Sequence, residues 1–225
     1  TLVFRLLVII FEKVNYRNLT SALTRSKSIW ILAPFFGSVL FIILYIIAAM
    51  FYPGGSGVDK ISVGYNWMEN YWCNLLSKKA INGEINSARP YAVIAMIVLS
   101  ISLSSFWFLF PALAHLKKNH RLLIQVAGII SMVTAFLLLT NVDHDLAVNA
   151  SSSFGFIAML GTIVALRKLK WNKIFLFGLF NILLIALNNY LYHTTQMTYL
   201  PVVQKFSFLC FLGWFCLIDV KLYYE

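Results

Sequence analysis

The sequence predicts an all-α integral membrane protein: a six-transmembrane-helix bundle with an N-terminal interfacial helix and a long outer loop between the first two transmembrane helices. Of the 225 residues, 60% are hydrophobic and 12% are charged, about half the charged fraction of a soluble domain. Apolar stretches near 20 residues recur, and a helix of that length spans ~30 Å of hydrocarbon. These stretches lack the alternating polarity of membrane β-barrel strands.

Six apolar segments define the predicted helices, and breaker residues mark some of their ends. The first segment ends at Tyr52-Pro53-Gly54-Gly55, because Pro and Gly interrupt helices. The second begins at Pro90, since Pro is favoured in the first turn of a helix. In chain order the segments are 28–51, 90–113, 121–141, 152–166, 172–192 and 202–220. They form a transmembrane domain over residues 28–222, with the outer loop at 52–90.

Loop charges predict the orientation of the bundle. With a cytoplasmic N-terminus, thirteen of the 18 basic residues fall in inner regions: Arg5, Lys13, Arg17, Arg25, Lys27, Lys117, Lys118, Arg121, Arg167, Lys168, Lys170, Lys173 and Lys221. The outer regions hold Lys60, Lys78, Lys79, Arg89 and Lys205, balanced by Asp59, Glu69, Glu84, Asp143 and Asp145. Because Lys and Arg are concentrated in cytoplasmic loops, both termini are expected inside. The net charge of +10 is thus attributed to topology and anionic lipid, and no nucleic-acid partner is predicted.

Two parts of the chain lie outside the predicted bundle. Residues 1–27 combine an apolar run with spaced Arg and Lys, which is typical of an amphipathic helix on the cytoplasmic membrane surface. An extra half-span packed in the bundle is the alternative. The outer loop is long for a bundle connection, and such loops are often functional. Apolar residues at spacings of three and four from Tyr65 to Leu76 predict a short amphipathic helix there, ended by Asn82-Gly83.

Polar residues are concentrated at the predicted outer ends of the helices, whereas the inner halves are mostly Leu, Ile, Phe and Val. A polar side chain in hydrocarbon is costly unless it faces protein or water, so the asymmetry predicts an outward-facing polar pocket. Its candidate ligand-binding residues are Glu69, Asn70, Asp143, His144, Asp145, Asn188, Asn189, His193 and Lys205. The expected ligand is a lipid or another amphiphile, with membrane lipids as partners.

Each of these residues also has a purely structural interpretation. Residues 143–145 fit a solvated turn, Asn188 and Asn189 fit hydrogen bonds between helices, and His193 fits the membrane interface. Lys205 fits an extended side chain that reaches the headgroups, or an ion pair with Asp143 or Asp145. These alternatives explain the residues one at a time, whereas a pocket explains why they share one side.

Two further hypotheses concern other classes of function. A metal-dependent lipid hydrolase would use Asp143, His144 and His193 around zinc, which takes three protein ligands at catalytic sites; however, no HxxxH or HExxH pair is present. Haem ligation would need His144 and His193 well inside the bilayer, and both fall at its rim. Cys73 is interpreted as a packing residue, and with no catalytic motif a non-enzymatic role is favoured. The third hypothesis is an accessory subunit of a larger membrane complex.

Three short motifs carry a family resemblance: Tyr52-Pro53-Gly54-Gly55, Glu69-Asn70-Tyr71-Trp72-Cys73-Asn74-Leu75-Leu76 and Asn188-Asn189-Tyr190. They resemble a bacterial six-helix membrane protein family of unknown function, which is similar in layout to the Frag1/DRAM/Sfk1 proteins. The resemblance covers roughly residues 28–222. It implies six helices, an outer polar pocket, a bacterial inner membrane, and a link to lipid handling or sensing. Related families usually carry Ser-Asp where Cys73-Asn74 stand here, so a role that needs a carboxylate at that point is not carried over to this chain.

Overall fold

The computed structural model describes residues 2–14, 29–139, 144–194 and 198–225. Within these ranges the chain forms seven α-helices and no β-strand, which confirms the predicted all-α class. The helices are α1 (Leu2–Lys13), α2 (Ala33–Met50), α3 (Arg89–Leu113), α4 (Lys118–Ala135), α5 (His144–Lys168), α6 (Asn172–His193) and α7 (Leu200–Tyr224). Short 3-10 helices occupy Ile29–Leu32, Trp72–Leu76 and Phe136–Leu139.

Five helical stretches of the described chain are long and apolar enough to cross a membrane: Ile29–Met50, Arg89–Leu113, Asp145–Lys168, Asn172–His193 and Leu200–Tyr224. Five such stretches give the chain the composition of a multi-pass membrane protein. α4 does not belong to this set, because its first turn consists of the polar residues Lys118 to Arg121. Beyond Ala135 it continues as the 3-10 helix Phe136–Leu139.

α5 is longer than the apolar segment 152–166 that we predicted. The helix begins at His144 and ends at Lys168. Its additional first turns are polar, so hydropathy does not detect them, although Asp145 in the first turn is favourable at the positive end of the helix dipole. The interpretation of Asp143-His144-Asp145 as a solvated turn is therefore wrong for His144 and Asp145, while Asp143 lies outside the described residues.

The prediction of an amphipathic α-helix in the outer loop is wrong. Met68 lies in a turn, and only Trp72–Leu76 is helical, as a single 3-10 element. Two side-chain amides compete with the helix: the Oδ1 atom of Asn70 accepts from the Asn66 amide at 2.8 Å, and that of Asn66 accepts from the Met68 amide at 2.9 Å. Asn favours such local bonds over helix continuation, a preference that the apolar spacing does not reveal.

The chain divides into two compact units. Unit 1 comprises Thr1–Gly37, Leu99–Leu176 and Phe215–Glu225, and unit 2 comprises Ser38–Val98 and Phe177–Trp214. In unit 1, α4 and α5 pack against each other. The hydroxyl of Ser131 donates to the Ser151 carbonyl at 2.8 Å, as polar residues commonly do between membrane helices.

The core of unit 1 is formed by aromatic rings from α3 and α7. Trp107 is 1% exposed, and its ring meets that of Phe215 edge to face at a centroid distance of 5.1 Å. α4 presents Gly128 to this indole, because a Cβ there would lie 2.2 Å from Trp107 Cγ. The close approach of α3 and α4 therefore depends on the absence of a side chain at this position.

α1 also belongs to unit 1. Its Phe11 is buried and lies 5.7 Å from the ring of Phe108 on α3, whereas Leu6, Ile9 and Ile10 are exposed. A surface helix with one packed face and a half-span in the bundle both allow this contact. Residues 15–28 lie outside the described chain, so the prediction of an interfacial segment over residues 1–27 stays a prediction.

We expect Gly128→Ala to destabilise the protein, because the added methyl group overlaps the indole of Trp107. Overpacking of this kind costs about 1–3 kcal/mol. The measurement is the thermal unfolding midpoint of purified protein in a mild detergent. Gly213→Ala on α7 is the matched control, since nothing lies within 4 Å of a Cβ there; equal midpoints for the two variants would contradict the packing described for α3 and α4.

Candidate functional site

The connection between α2 and α3, residues 51–88, is folded by buried asparagine side chains. Asn70 Nδ2 donates to the Gly55 carbonyl at 2.8 Å. Asn86 Nδ2 donates to the carbonyls of Asn74 at 3.0 Å and Ser77 at 2.9 Å, and its Oδ1 accepts from the Ala88 amide at 3.1 Å. We call this segment the α2–α3 loop. Backbone hydrogen bonds, such as that from the Gly55 amide to the Ser62 carbonyl at 2.8 Å, act together with these side-chain amides to order it.

The Gly54-Gly55 pair lies where separate segments of this loop approach one another closely. A Cβ on Gly54 would lie 2.2 Å from the Ser62 carbonyl oxygen, and one on Gly55 would lie 2.4 Å from the Asn82 nitrogen. Gly55 also has a φ of +82°, which favours glycine. The residues that the sequence indicates as a helix breaker are therefore also the point where the loop backbone crosses itself.

Trp72 anchors the α2–α3 loop to the membrane helices within unit 2. Its ring lies 5.9 Å from Phe41 and 5.3 Å from Tyr45, both on α2. On the other side it lies 5.2 Å from Phe208 on α7. The pairs with Phe41 and Phe208 are edge to face, and such pairs contribute about 0.5–1.5 kcal/mol each beyond their buried area, so these contacts hold the loop within unit 2.

Lys205 of α7 also contacts the α2–α3 loop and brings a positive charge to it. The residue is only 8% exposed, and its Nζ donates to the Asn70 carbonyl at 2.5 Å. The same carbonyl accepts from the Tyr65 hydroxyl at 3.1 Å, and the ammonium lies 5.9 Å from the centre of the Tyr65 ring. A buried cation from a membrane helix thus meets the backbone of the loop, and we call Lys205, Asn70, Tyr65, Trp72 and Cys73 the Lys205 cluster.

The remaining titratable groups of the Lys205 cluster are neutral near pH 7. Burial raises the pKa of the Cys73 thiol, although the positive charge of Lys205 acts in the opposite direction. Burial also raises the pKa of the Tyr65 hydroxyl. Because a thiol rather than a thiolate is present, nucleophilic chemistry at Cys73 is not favoured.

The structure brings three of the predicted pocket residues into one region of unit 2. Glu69 Oε2 accepts from the Ser56 hydroxyl at 2.5 Å, and the adjacent Asn70 accepts from Lys205. For Lys205 we predicted an extended path to the headgroups or a pairing with Asp143 or Asp145; its observed hydrogen-bond partner is the loop backbone.

The predicted residues of α6 differ in their contacts. Asn188 Nδ2 donates to the Ser207 hydroxyl of α7 at 2.6 Å, which is the interhelical hydrogen bond of the structural interpretation. Asn189 is exposed and donates to the Ile185 carbonyl of its own helix at 2.9 Å. His193 is exposed at the end of α6, with its ring 5.4 Å from Tyr192.

His144 and Asp145 belong to unit 1. Asp145 is exposed in the first turn of α5, whereas Asp143 and the side chain of His144 lie outside the described residues. Among the side chains that the structure describes, no three His, Cys, Asp or Glu residues are grouped as a metal site requires. The zinc and haem hypotheses depend on His144 and so stay untested predictions.

One buried ionisable residue escaped the sequence analysis. Asp219 near the end of α7 is 2% exposed, and its Oδ2 has no hydrogen-bond partner within the described ranges. The signal was present in the sequence, because Asp219 is an acidic residue directly after the apolar run 206–218. Ionisable residues in membrane helices are rare, and they are often functional.

Comparison of the chain with known protein families, with curated proteins and with solved structures returned no match. The resemblance to a six-helix membrane family therefore stays a prediction from the three motifs.

We expect Asn70→Ala to open the α2–α3 loop. The substitution leaves the Gly55 carbonyl and the Asn66 amide without their partner, and each unsatisfied buried group costs about 1–3 kcal/mol. Limited tryptic digestion measures the effect, because Lys60, Lys78 and Lys79 of the loop are exposed. Asn189→Ala, which removes an exposed amide, is the control; equal digestion rates for both variants would rule out the proposed role of Asn70.

We expect Lys205→Met to raise the pKa of Cys73 further, because the nearby positive charge favours the thiolate. The measurement is the pH dependence of N-ethylmaleimide addition to Cys73 in a protein with Cys210 and Cys216 replaced by Ser. The midpoint should move to higher pH in Lys205→Met and stay in place in Lys79→Met, which removes an exposed loop cation. If Lys205→Met leaves the midpoint unchanged, the charge of Lys205 does not act on the Cys73 thiol.

Proposed function

We propose that the chain is a six-helix protein of the bacterial inner membrane that binds an anionic amphiphile at the Lys205 cluster. In this proposal α4 with its 3-10 extension supplies the sixth span, and both termini lie in the cytoplasm. The α2–α3 loop then lies on the outer face. The basic character of the predicted inner loops supports this orientation.

The observation that carries the proposal is the environment of the Lys205 ammonium. An ammonium has three N–H donors, and the described residues give it one acceptor, the Asn70 carbonyl. Burying a cation without a counterion costs several kcal/mol. The carboxylate or phosphate of a bound amphiphile would supply the missing charge, and ionisable residues within membrane helices commonly mark such sites.

Unit 2 also holds further buried polar atoms that a ligand headgroup can satisfy. Trp72 Nε1, Asn188 Oδ1 and Gln204 Oε1 are buried and have no hydrogen-bond partner in the described part of the chain. Nearly all buried polar atoms in proteins are paired with protein or water. Donors on Lys205 and Trp72 suit an anionic headgroup, and the acceptors on Asn188 and Gln204 suit its hydroxyl groups.

The depth of Lys205 favours an amphiphile over a small soluble anion. The residue lies five positions after Leu200, about 7.5 Å into the helix at 1.5 Å per residue. A headgroup at this depth leaves its acyl chain in the hydrocarbon. The exposed apolar residues of α6 in the same unit, among them Leu183 and Leu187, offer a surface for that chain. The lipid link implied by the three sequence motifs agrees with this ligand class.

The test is the binding of lysophosphatidic acid, an anionic amphiphile, to the purified protein, with zwitterionic lysophosphatidylcholine as the comparison. Lys205→Met should weaken binding of lysophosphatidic acid by about tenfold or more, corresponding to 1.4 kcal/mol or more. Binding of lysophosphatidylcholine should be weak and unaffected. Lys205→Arg keeps the charge and should retain part of the affinity.

Lys79→Met is the matched control, because it removes an exposed loop cation. A thermal unfolding midpoint close to that of the parent confirms that each variant is folded. If folded Lys205→Met binds lysophosphatidic acid as tightly as the parent does, the proposal is wrong.

A further inference from the structure

The surface between α4 and α5 in unit 1 contains a groove that is separate from the Lys205 cluster. It consists of two adjoining hollows of about 290 Å³ and 400 Å³, which share Leu123 and Ile157 as lining residues. We call them together the α4–α5 groove. Leu123 and Ile157 are 51% and 42% exposed, so the groove opens onto the apolar surface of the helix pair.

Small residues create this groove. Ala127 lines the first hollow and Gly161 the second. A Cβ on Gly161 would lie 2.7 Å from Ile124 Cγ1, so the helices approach closely here, and little side-chain volume fills the surface above them. His120 Nε2 donates to the Gly161 carbonyl at 2.8 Å, which fixes α4 against α5 at the polar end of the groove.

The two ends of the α4–α5 groove differ in polarity. At one end the lining includes Asn119, His120 and Lys168, whereas Ile130 and Phe154 line the other. Lys168 is exposed, and its ammonium has no hydrogen bond or ion pair with a side chain that the structure describes. Its neighbour Arg167, in contrast, donates to Asn172 Oδ1 at 3.3 Å and lies 5.3 Å from the ring of Phe175.

The length of the groove matches one leaflet of a bilayer. From Asn119 to Ile130 the helix rises by eleven residues, or about 17 Å at 1.5 Å per residue. Half of a ~30 Å hydrocarbon core is about 15 Å. An apolar groove of this length with a cation at one end has the dimensions and the charge of an acyl chain attached to an anionic headgroup.

We propose that the α4–α5 groove binds one acyl chain of an anionic phospholipid, with the lipid phosphate at Lys168 and Asn119. The exposed Lys117 and Lys118 add positive charge near the same end of the helix pair, and such basic clusters attract anionic lipids. Under the orientation predicted from the loop charges, the bound lipid belongs to the cytoplasmic leaflet. The proposal does not depend on the proposed function, because it rests on different residues in a different unit.

The experiment is native mass spectrometry of the purified protein titrated with phosphatidylglycerol or phosphatidylcholine. Leu123→Trp fills the groove and should lower phosphatidylglycerol retention by about tenfold, whereas Lys168→Ala should lower it by about fivefold through the headgroup alone. The matched controls are Leu176→Trp, which adds the same bulk at an exposed position of α6 that belongs to neither proposed site, and Lys173→Ala, which removes another exposed cation. Both should retain the lipid as the parent does. The comparison is repeated in a Lys205→Met background, so that the Lys205 cluster does not contribute to the phosphatidylglycerol retained.

Each alternative outcome would overturn the proposal. If Leu123→Trp and Lys168→Ala both retain phosphatidylglycerol as the parent does, the groove binds no such lipid. If Leu123→Trp lowers retention of both lipids equally and Lys168→Ala changes nothing, the groove lacks headgroup selectivity. A parent dimer that Leu123→Trp dissociates would show that a second copy occupies the groove. Ile157→Trp, which fills the groove from α5, replaces Leu123→Trp if the latter lowers the unfolding midpoint.

Discussion

The hydrogen bond from Lys205 to the Asn70 carbonyl joins α7 to the α2–α3 loop, and these two elements of unit 2 hold the residues of the Lys205 cluster. One partner is a cation from α7, and the other is the backbone of a loop folded around buried amides. Asn70 is suited to this position because its side chain already holds Gly55 and Asn66, which leaves its carbonyl in a fixed place. The aromatic contacts of Trp72 to α2 and α7 lie in the same region, where Asn70 and Lys205 are buried. In such a region a charge interacts strongly with whatever lies beside it.

Hydropathy predicted five stretches that are apolar enough to cross a membrane, because burial in hydrocarbon requires long apolar runs, whereas the sixth predicted span, 121–141, was not confirmed. It failed where polar residues continue a helix, as at the start of α5, since apolar content marks only the part of a helix that lies in lipid. It failed again in the α2–α3 loop, where the spacing of Tyr65 and Met68 suggested a helix. There the amides of Asn66 and Asn70 bind the backbone locally, and a pattern of apolar residues contains no information about them.

The candidate site was predicted in part for a similar reason. Loop charges and the one-sided placement of polar residues directed attention to Glu69, Asn70 and Lys205, which share unit 2. The partner of Lys205 was not predictable, because the acceptor is a backbone carbonyl 135 residues away, and every residue has such a carbonyl. Side-chain identity predicts ion pairs; it does not predict which carbonyl a lysine will reach. The resemblance to the six-helix family supplied no partner for Lys205 either.

The hydrogen bond between Lys205 and Asn70 also determines when the α2–α3 loop can complete its folding during synthesis. The α2–α3 loop is synthesised soon after α2, whereas Lys205 follows Asn70 by 135 residues and is synthesised much later. During that interval the loop lacks its contacts with both Lys205 and Phe208, so the Trp72 indole has only its partners on α2. Insertion of α7 therefore completes the folding of a segment made more than a hundred residues earlier. A chain truncated before α7 would carry an incompletely packed loop, which a membrane protease that removes unassembled chains would recognise.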